Sequence, residues 1–257
     1  MLLCIDIGNT NIVLGLYDGA ELVHDWRMHT DARVTADELA LGVRGLLGPL
    51  ADLVTGIAAL STVPAVLREL RVMLDRFYES TPRVVVQPGV RTGVPLLVDN
   101  PKEVGGDRLV NTMAAHHLFP TSCVVVDFGT STNIDVLSAK GEFLGGVFAP
   151  GIEISVDALA ARAAQLRKVE LVKPQRVIGK NTVECLQSGI LYGFVGQVDG
   201  LVRRITTELS RTQPGPVTVI ATGGLAPLIV TESETIDHHV PELTLLGLRL
   251  AYERNTA

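Results

Sequence analysis

Cysteine is scarce in this chain of 257 residues: Cys4, Cys123 and Cys185 stand far apart, with no Cys-x-x-Cys pair. That spacing offers neither a disulfide framework nor a thiolate metal site, and reduced core thiols are expected. Basic charge is scarce too. Lys and Arg number 22 against 28 Asp and Glu, a net charge of −6, with a pI near 5.5. A nucleic-acid binder would usually show a basic face, so nucleic acid is not an expected partner. No apolar run reaches the roughly 18 residues of a membrane span. The start lacks the basic n-region and cleavage site of a signal peptide. A cytoplasmic location without a membrane partner is therefore expected. A P-loop is missing: Gly179-Lys180 lacks the upstream glycine and the hydroxyl directly after the lysine. The pairs His116-His117 and His238-His239 have no third ligand nearby, so they read as surface or capping residues rather than a metal site.

What is present is enough apolar sequence, 47% against 19% charged, for a sizeable core and one or two domains. The stretch Met1 to Gly19 organises the rest. Leu2 to Ile5 reads as a buried strand ending on Asp6. Gly8, Asn9, Thr10 and Asn11 suit a tight turn. Ile12 to Tyr17 returns as a strand, and Asp18-Gly19 is a hairpin signal. A carboxylate delivered into a turn of N–H and hydroxyl donors can hold a metal-bound phosphate. An ordinary hairpin with a polar turn would read the same way. The device recurs, however. Cys123 to Val126 is a strand ending on Asp127, Gly129 is the turn glycine, and Thr130, Ser131 and Thr132 supply hydroxyls. Ile134 to Leu137 returns, and Lys140-Gly141 turns. Two copies suggest two halves of similar build, clamping a nucleotide.

Between the copies, Thr35-Ala-Asp-Glu38 is a capping box for a helix over Leu39 to Leu47, which Gly42, Gly45 and Gly48 weaken and end. Val54 to Leu60 is a buried strand. Pro64 opens a helix to about Tyr78, with Val66, Leu67, Leu70, Met73, Leu74 and Phe77 on one face. Val84 to Val86 is another strand. Then come Gly105 and Gly106, which permit close backbone approach, and Asp107-Arg108 at the start of a helix through Leu109, Met113 and Leu118. A helix-capping Asp with a solvated Arg is one reading. A base and a cation beside a bound ligand is the other.

After the second copy, Gly145 and Gly146 follow a strand and Pro150-Gly151 forms a turn. An Ala-rich helix spans Glu153 to Glu170. Gly179, Asn181 and Thr182 open a long helix to about Ser210. Its Gly189, Gly193, Gly196 and Gly200 suggest close helix packing. Val217 to Ala221 is a strand ending on Thr222-Gly223-Gly224, a glycine pair against which a purine could lie. Pro241 to Arg254 closes the chain as an amphipathic helix carrying Leu246, Leu248, Leu250 and Tyr252.

Taken in this order, the segments resemble the type III pantothenate kinases, in the superfamily that holds actin, the sugar kinases and the chaperone ATPases. The likeness covers nearly the whole chain. It rests on IDIGNTN (Ile5 to Asn11), NPKEVGGDR (Asn100 to Arg108), DFGTST (Asp127 to Thr132), GGVFAPGI (Gly145 to Ile152), GKNTVE (Gly179 to Glu184) and ATGG (Ala221 to Gly224). The resemblance implies an α/β fold of two ribonuclease-H-like, actin-like halves with ATP in the cleft between them. Residues 1–118 would carry the phosphate turn and the pantothenate loop, and 119–257 the second turn and the adenosine-side glycines. It implies ATP-dependent phosphorylation of pantothenate to 4′-phosphopantothenate, the first step of coenzyme A synthesis, by a homodimer.

Carried over by position, Asp6, Ile7, Gly8, Asn9, Thr10, Asn11, Ile12 and Val13 would hold the ATP phosphates. Asp6 would reach a divalent cation, Mg²⁺, directly or through water. Gly105, Gly106, Asp107 and Arg108 would grip pantothenate, with Asp107 as the proton acceptor. Asp127 would bind the monovalent cation, K⁺ or NH₄⁺. Thr130 would touch ATP, Thr182 pantothenate, and Gly223 and Gly224 the adenosine. Some positions depart from the family pattern. Val98 and Asp99 stand where many relatives carry a Tyr, Asn133 where a Thr is frequent, and Gly106 where an Ala is common. Two alternatives stay open: a kinase for another small hydroxy acid or sugar on the same clamp, and a non-catalytic nucleotide-binding transcription accessory protein.

Overall fold

A computed structural model describes residues 1–87, 89–163 and 169–256. The chain divides into two compact units. One comprises Met1–Val94, Asp99–Ala114 and Leu243–Ala257, the other Pro95–Val98 and Ala115–Glu242.

The first unit opens with the expected meander: β1 (Leu2–Ile7), β2 (Asn11–Asp18) and β3 (Glu21–His29). Helix α1 (Ala36–Leu47) follows the capping box, in which the Thr35 side chain accepts from the Glu38 N–H and Glu38 accepts from the Thr35 N–H. Gly48 ends it at φ 53°, a left-handed conformation that suits glycine. Then come β4 (Gly56–Ser61), α2 (Pro64–Phe77, with Pro64 in its first turn), β5 (Arg83–Val85) and α3 (Gly106–Leu118). The chain's final helix, α7 (Leu243–Thr256), packs within this first unit although it lies at the end of the 119–257 span.

The sheet order is β3-β2-β1-β4-β5. The meander is antiparallel, and β1, β4 and β5 run parallel. Strand alternation sends Leu3, Ile5 and Ile7 to the α1–α2 side, where they pack with Leu39, Val43, Leu70 and Met73. Cys4 turns to the other face, among Val110, Leu245, Leu248 and Ala251 of α3 and α7.

The second unit repeats the plan. It holds β6 (Ser122–Phe128), β7 (Ser131–Leu137), β8 (Phe143–Pro150), α4 (Ile152–Arg162), α5 (Thr182–Thr212), β9 (Val217–Thr222), α6 (Ala226–Val230) and β10 (His238–His239). Its order, β8-β7-β6-β9-β10, matches the first sheet strand for strand. Val124, Val126, Phe128, Ile134 and Val136 face the helices of this unit.

Several expectations are corrected. Phe77, placed on the apolar face of α2, is 48% exposed, because four other side chains of that helix already fill the core contact. Gly145 and Gly146 lie inside β8, where the pairing with β7 is irregular. The helix expected from Glu153 to Glu170 ends at Arg162, and 164–168 of that span lie outside the described residues. Among the described residues, the glycines of α5 make no close packing: a Cβ at Gly189, Gly193, Gly196 or Gly200 would meet nothing within 4 Å. Helix α7 is buried on more than one side, through Leu243, Leu245, Gly247, Leu248, Ala251 and even Arg249. Cys4 and Cys123 are buried, and burial pushes both thiols up from their ordinary range, while Cys185 is exposed. Of the histidines, His117 and His238 are exposed, but His116 and His239 are half buried.

Candidate active site

The two acid-bearing turns occupy equivalent places. In the first, β1 delivers Asp6, and the Gly8 N–H donates to the Asn11 carbonyl at 3.0 Å. In the second, β6 delivers Asp127, and the Gly129 N–H donates to the Ser131 carbonyl at 3.1 Å. Asn9 and Thr10 are exposed in one turn, Gly129 and Thr130 in the other. Ile7 and Ile12 are fully buried in the core. They can therefore offer a ligand only their main chain. Thr132, counted among the hydroxyls of the second turn, is 1% exposed with its hydroxyl buried, which leaves Thr130 and Ser131 as the accessible ones.

The neighbours of the two carboxylates differ. Asp6 lies in register with Val13 on β2 and Leu60 on β4. Asp127 lies in register with Asn133 on β7 and Thr222 on β9. In-register neighbours share a face of the sheet. One carboxylate thus sits between apolar residues, the other between an amide and a hydroxyl. Ser131 adds a further oxygen, donating to Asn133 Oδ1 at 2.7 Å. Oxygen-rich surroundings of this kind suit a hard cation.

Gly223, at φ 92°, is part of the same arrangement: a Cβ there would lie 2.5 Å from Asp127 Oδ1 and 2.7 Å from the Phe128 nitrogen. The backbone at Gly223 thus lies close against the second turn. Gly224 beside it is exposed.

Asp107 stands in the first turn of α3, where the helix dipole favours its negative charge. The glycine pair before it has two separate tasks. A Cβ at Gly105 would come within 2.4 Å of Asp107 Oδ1, so the carboxylate lies back over that residue. A Cβ at Gly106 would instead stand 3.3 Å from the Val86 side chain and 3.4 Å from its carbonyl oxygen. The preceding loop is pinned by Asn100, whose amide donates to Glu103 at 2.6 Å. Arg108 is half buried, and its carbonyl accepts from the Thr112 hydroxyl at 2.8 Å.

Thr182 is exposed at the first position of α5, after Asn181, which caps the helix by accepting from the Glu184 N–H at 3.0 Å. Val98 lies beside Gly145, 3.9 Å from where a Cβ would stand. A pocket of about 310 Å³ runs along α4 and α5, lined by Ser155, Leu159, Cys185, Gly189 and Gly193 among others, and none of the expected site residues lines it.

Sequence reasoning missed two braces of the first turn. The Thr30 hydroxyl donates to the Gly8 carbonyl at 2.8 Å, and the Thr62 N–H to the Ile7 carbonyl at 2.9 Å. Both follow strands that end beside the turn. A lone threonine after a strand gives no sequence signal of its own.

Residues 2–204 match the family model described as type III pantothenate kinase. A type III pantothenate kinase of Saccharopolyspora erythraea is 77% identical, with 99% of each chain covered. One from Rhodococcus opacus is 66% identical over 100% of this chain and 96% of its own. Among solved structures, component A of the (R)-2-hydroxyglutaryl-CoA dehydratase of Acidaminococcus fermentans aligns over 100% of this chain and 99% of its own, with a TM-score of 0.55 at 14% identity. A hexokinase of the ROK class from Thermus thermophilus covers 97% of each chain at a TM-score of 0.50 and 16% identity. At such identities the structural likeness speaks to the two-part α/β fold alone.

Proposed function

The chain belongs to the type III pantothenate kinase family, and from that premise we propose how its residues phosphorylate pantothenate at the expense of ATP, the first step of coenzyme A synthesis. Phosphoryl transfer asks a protein chiefly for in-line positioning and charge neutralisation. The main-chain donors of the Asp6–Val13 turn take the ATP phosphates, and Thr130 contacts the nucleotide from the second turn. Gly223 and Gly224 border the adenosine. Asp107 accepts the proton of the pantothenate hydroxyl, while Arg108 orients the substrate and Thr182 contacts it. A carboxylate is a weak base for an alcohol, but a loose transition state releases the proton late. Its contribution is on the order of a hundred- to ten-thousand-fold in rate.

The donor sets fit two different cations. Asp6, between Val13 and Leu60, offers a single carboxylate, which suits Mg²⁺ shared with phosphates and water. Asp127, beside Asn133 and Thr222, offers a carboxylate with neutral oxygens, which suits K⁺ or NH₄⁺. When bound, these ions neutralise charge that develops on the phosphates. We further read the enzyme as a cytoplasmic homodimer. The buried thiols of Cys4 and Cys123 agree with a reducing compartment. Among the described residues, no helix is long and apolar enough to cross a membrane.

The observation that carries the assignment of the base is the Asp107 carboxylate lying over Gly105 at the start of α3. The test is direct. With MgATP, K⁺ and pantothenate the protein should form phosphopantothenate, and Asp107→Asn should lose at least a hundredfold in kcat while its far-UV circular dichroism is unchanged. Full activity in Asp107→Asn removes that residue from the chemistry. Equal rates in Na⁺ and K⁺ remove the monovalent cation from Asp127.

A further inference from the structure

Asn111 is a buried polar side chain on α3. It is 2% exposed, next to Val110, which packs in the cluster of Leu245, Leu248 and Ala251. A buried amide costs free energy unless it is hydrogen-bonded. Here Asn111 Oδ1 accepts from the Thr244 hydroxyl on α7 at 2.9 Å. One turn further along α7, Gly247 meets α3 main chain to main chain: a Cβ at Gly247 would stand 2.1 Å from the Val110 carbonyl oxygen. Two neighbouring residues of α3 are therefore held by two positions one turn apart on α7. The glycine contact sets how close the helices come. The hydrogen bond sets how α3 is turned about its own axis.

Asn111 also lies four residues after Asp107, on the same face of the helix. Gly105 just before α3 and Gly106 at its first position carry no side chain that could fix its rotation. An apolar pair at 111 and 244 would fill the same space without a buried amide. A buried, directional hydrogen bond between two helices favours one arrangement among several that packing alone would allow.

We propose that Asn111, held by Thr244, is a positioning residue for Asp107: the bond between them sets the rotation of α3, and with it the direction of the carboxylate one turn earlier. The proposal rests on the reading of Asp107 as the proton acceptor. It is tested in the full-length enzyme with MgATP, K⁺ and pantothenate. Thr244→Val keeps the shape and removes the hydroxyl, and Thr244→Ser keeps the hydroxyl. The valine variant should lose about tenfold in kcat, with KM for ATP and pantothenate within about twofold of the parent, whereas serine restores kcat. Thr244→Ala is the second variant, with the same expectation as valine, should valine fail to fold. Adding Asn111→Ala to either should cost little more, since the bond is already gone. Parent kcat in the valine and alanine variants overturns the proposal, and so does an equal loss in the serine variant. An active Asp107→Asn enzyme would instead refute the reading beneath it, whatever position 244 does.

Discussion

A glycine pair such as Gly105-Gly106 announces in the sequence that something must come close, but not what. The sequence suggests the ligand. The structure gives each glycine a different neighbour, Asp107's own carboxylate for Gly105 and the Val86 main chain and side chain for Gly106. Their substitution should therefore have unequal effects. Gly105→Ala puts a methyl group 2.4 Å from Asp107 Oδ1, a separation that ordinary contacts never show, so the carboxylate must swing away. The expected result is a fall in kcat of about tenfold or more, with helix content unchanged. Gly106→Ala meets its first neighbour at 3.3 Å, which a small shift of Val86 absorbs. Alanine also restricts the unfolded chain, worth up to about 1 kcal/mol. Its kcat should stay within about threefold of the parent and its thermal midpoint should hold or rise. Equal kinetics in the two variants would mean that the space over Gly105 is not what aims Asp107.

The elements that could be read from the chain are those whose signals are local. The capping box of α1, Pro64 at the start of α2 and the two Asp-x-Gly hairpins need only a few adjacent residues, and each stands where expected. What stayed illegible depends on partners distant in sequence. The glycine spacing of α5 announces a missing side chain without naming the neighbour that would use the gap. Asp199, midway along the same helix, is a second case. It is 4% exposed and gathers the segment after α6, accepting from Ser233 Oγ at 2.6 Å, Thr235 Oγ1 at 2.7 Å and the Glu234 N–H at 3.1 Å. Burial alone would raise its carboxyl, but those donors, with Arg203 nearby, outweigh burial and hold it below the ordinary range. The unfolded chain then takes up a proton more readily than the native one. Its stabilisation is complete above the unfolded value near 4 and is lost as pH falls through the lower native value. Asp199→Ala should cost about 2 kcal/mol at neutral pH, judged from hydrogen bonds to a charged group. In urea titrations at several pH values the gap to the parent should narrow below about pH 4. A gap of constant size down to pH 3 would show that the carboxylate's charge contributes nothing.

At the scale of the whole molecule, duplication explains why so much of the fold was readable. One sheet order serves both units, so each half's pattern supports the interpretation of the other. The halves then diverge in what they mount: Asp107 on α3 in the first, the amide and hydroxyl beside Asp127 in the second. Among the described residues, the second unit also leaves several apolar side chains of α4 and α5 exposed. Ile154 and Leu159 of α4 are 47% and 42% exposed, Val183 of α5 is 48% exposed, and Gly189 and Gly193 border the pocket between these helices. Singly exposed apolar residues are ordinary, but Leu159 and two open glycines lining one pocket are what a second helix surface would cover. A second copy of this chain is the occupant consistent with the homodimer reading. Gly193→Arg separates folding from assembly. Among the described residues, the helix's own backbone aside, nothing lies within 4 Å of the added Cβ, and replacing a mid-helix glycine should stabilise the helix by up to about 1 kcal/mol. At a dimer seam the same side chain would enter the facing subunit. Light scattering should therefore find the parent at twice the chain mass and the variant at the chain mass, with an unfolding midpoint for the isolated chain no lower than before. A parent that runs as a monomer, or a variant that stays dimeric, would place the seam elsewhere or remove it.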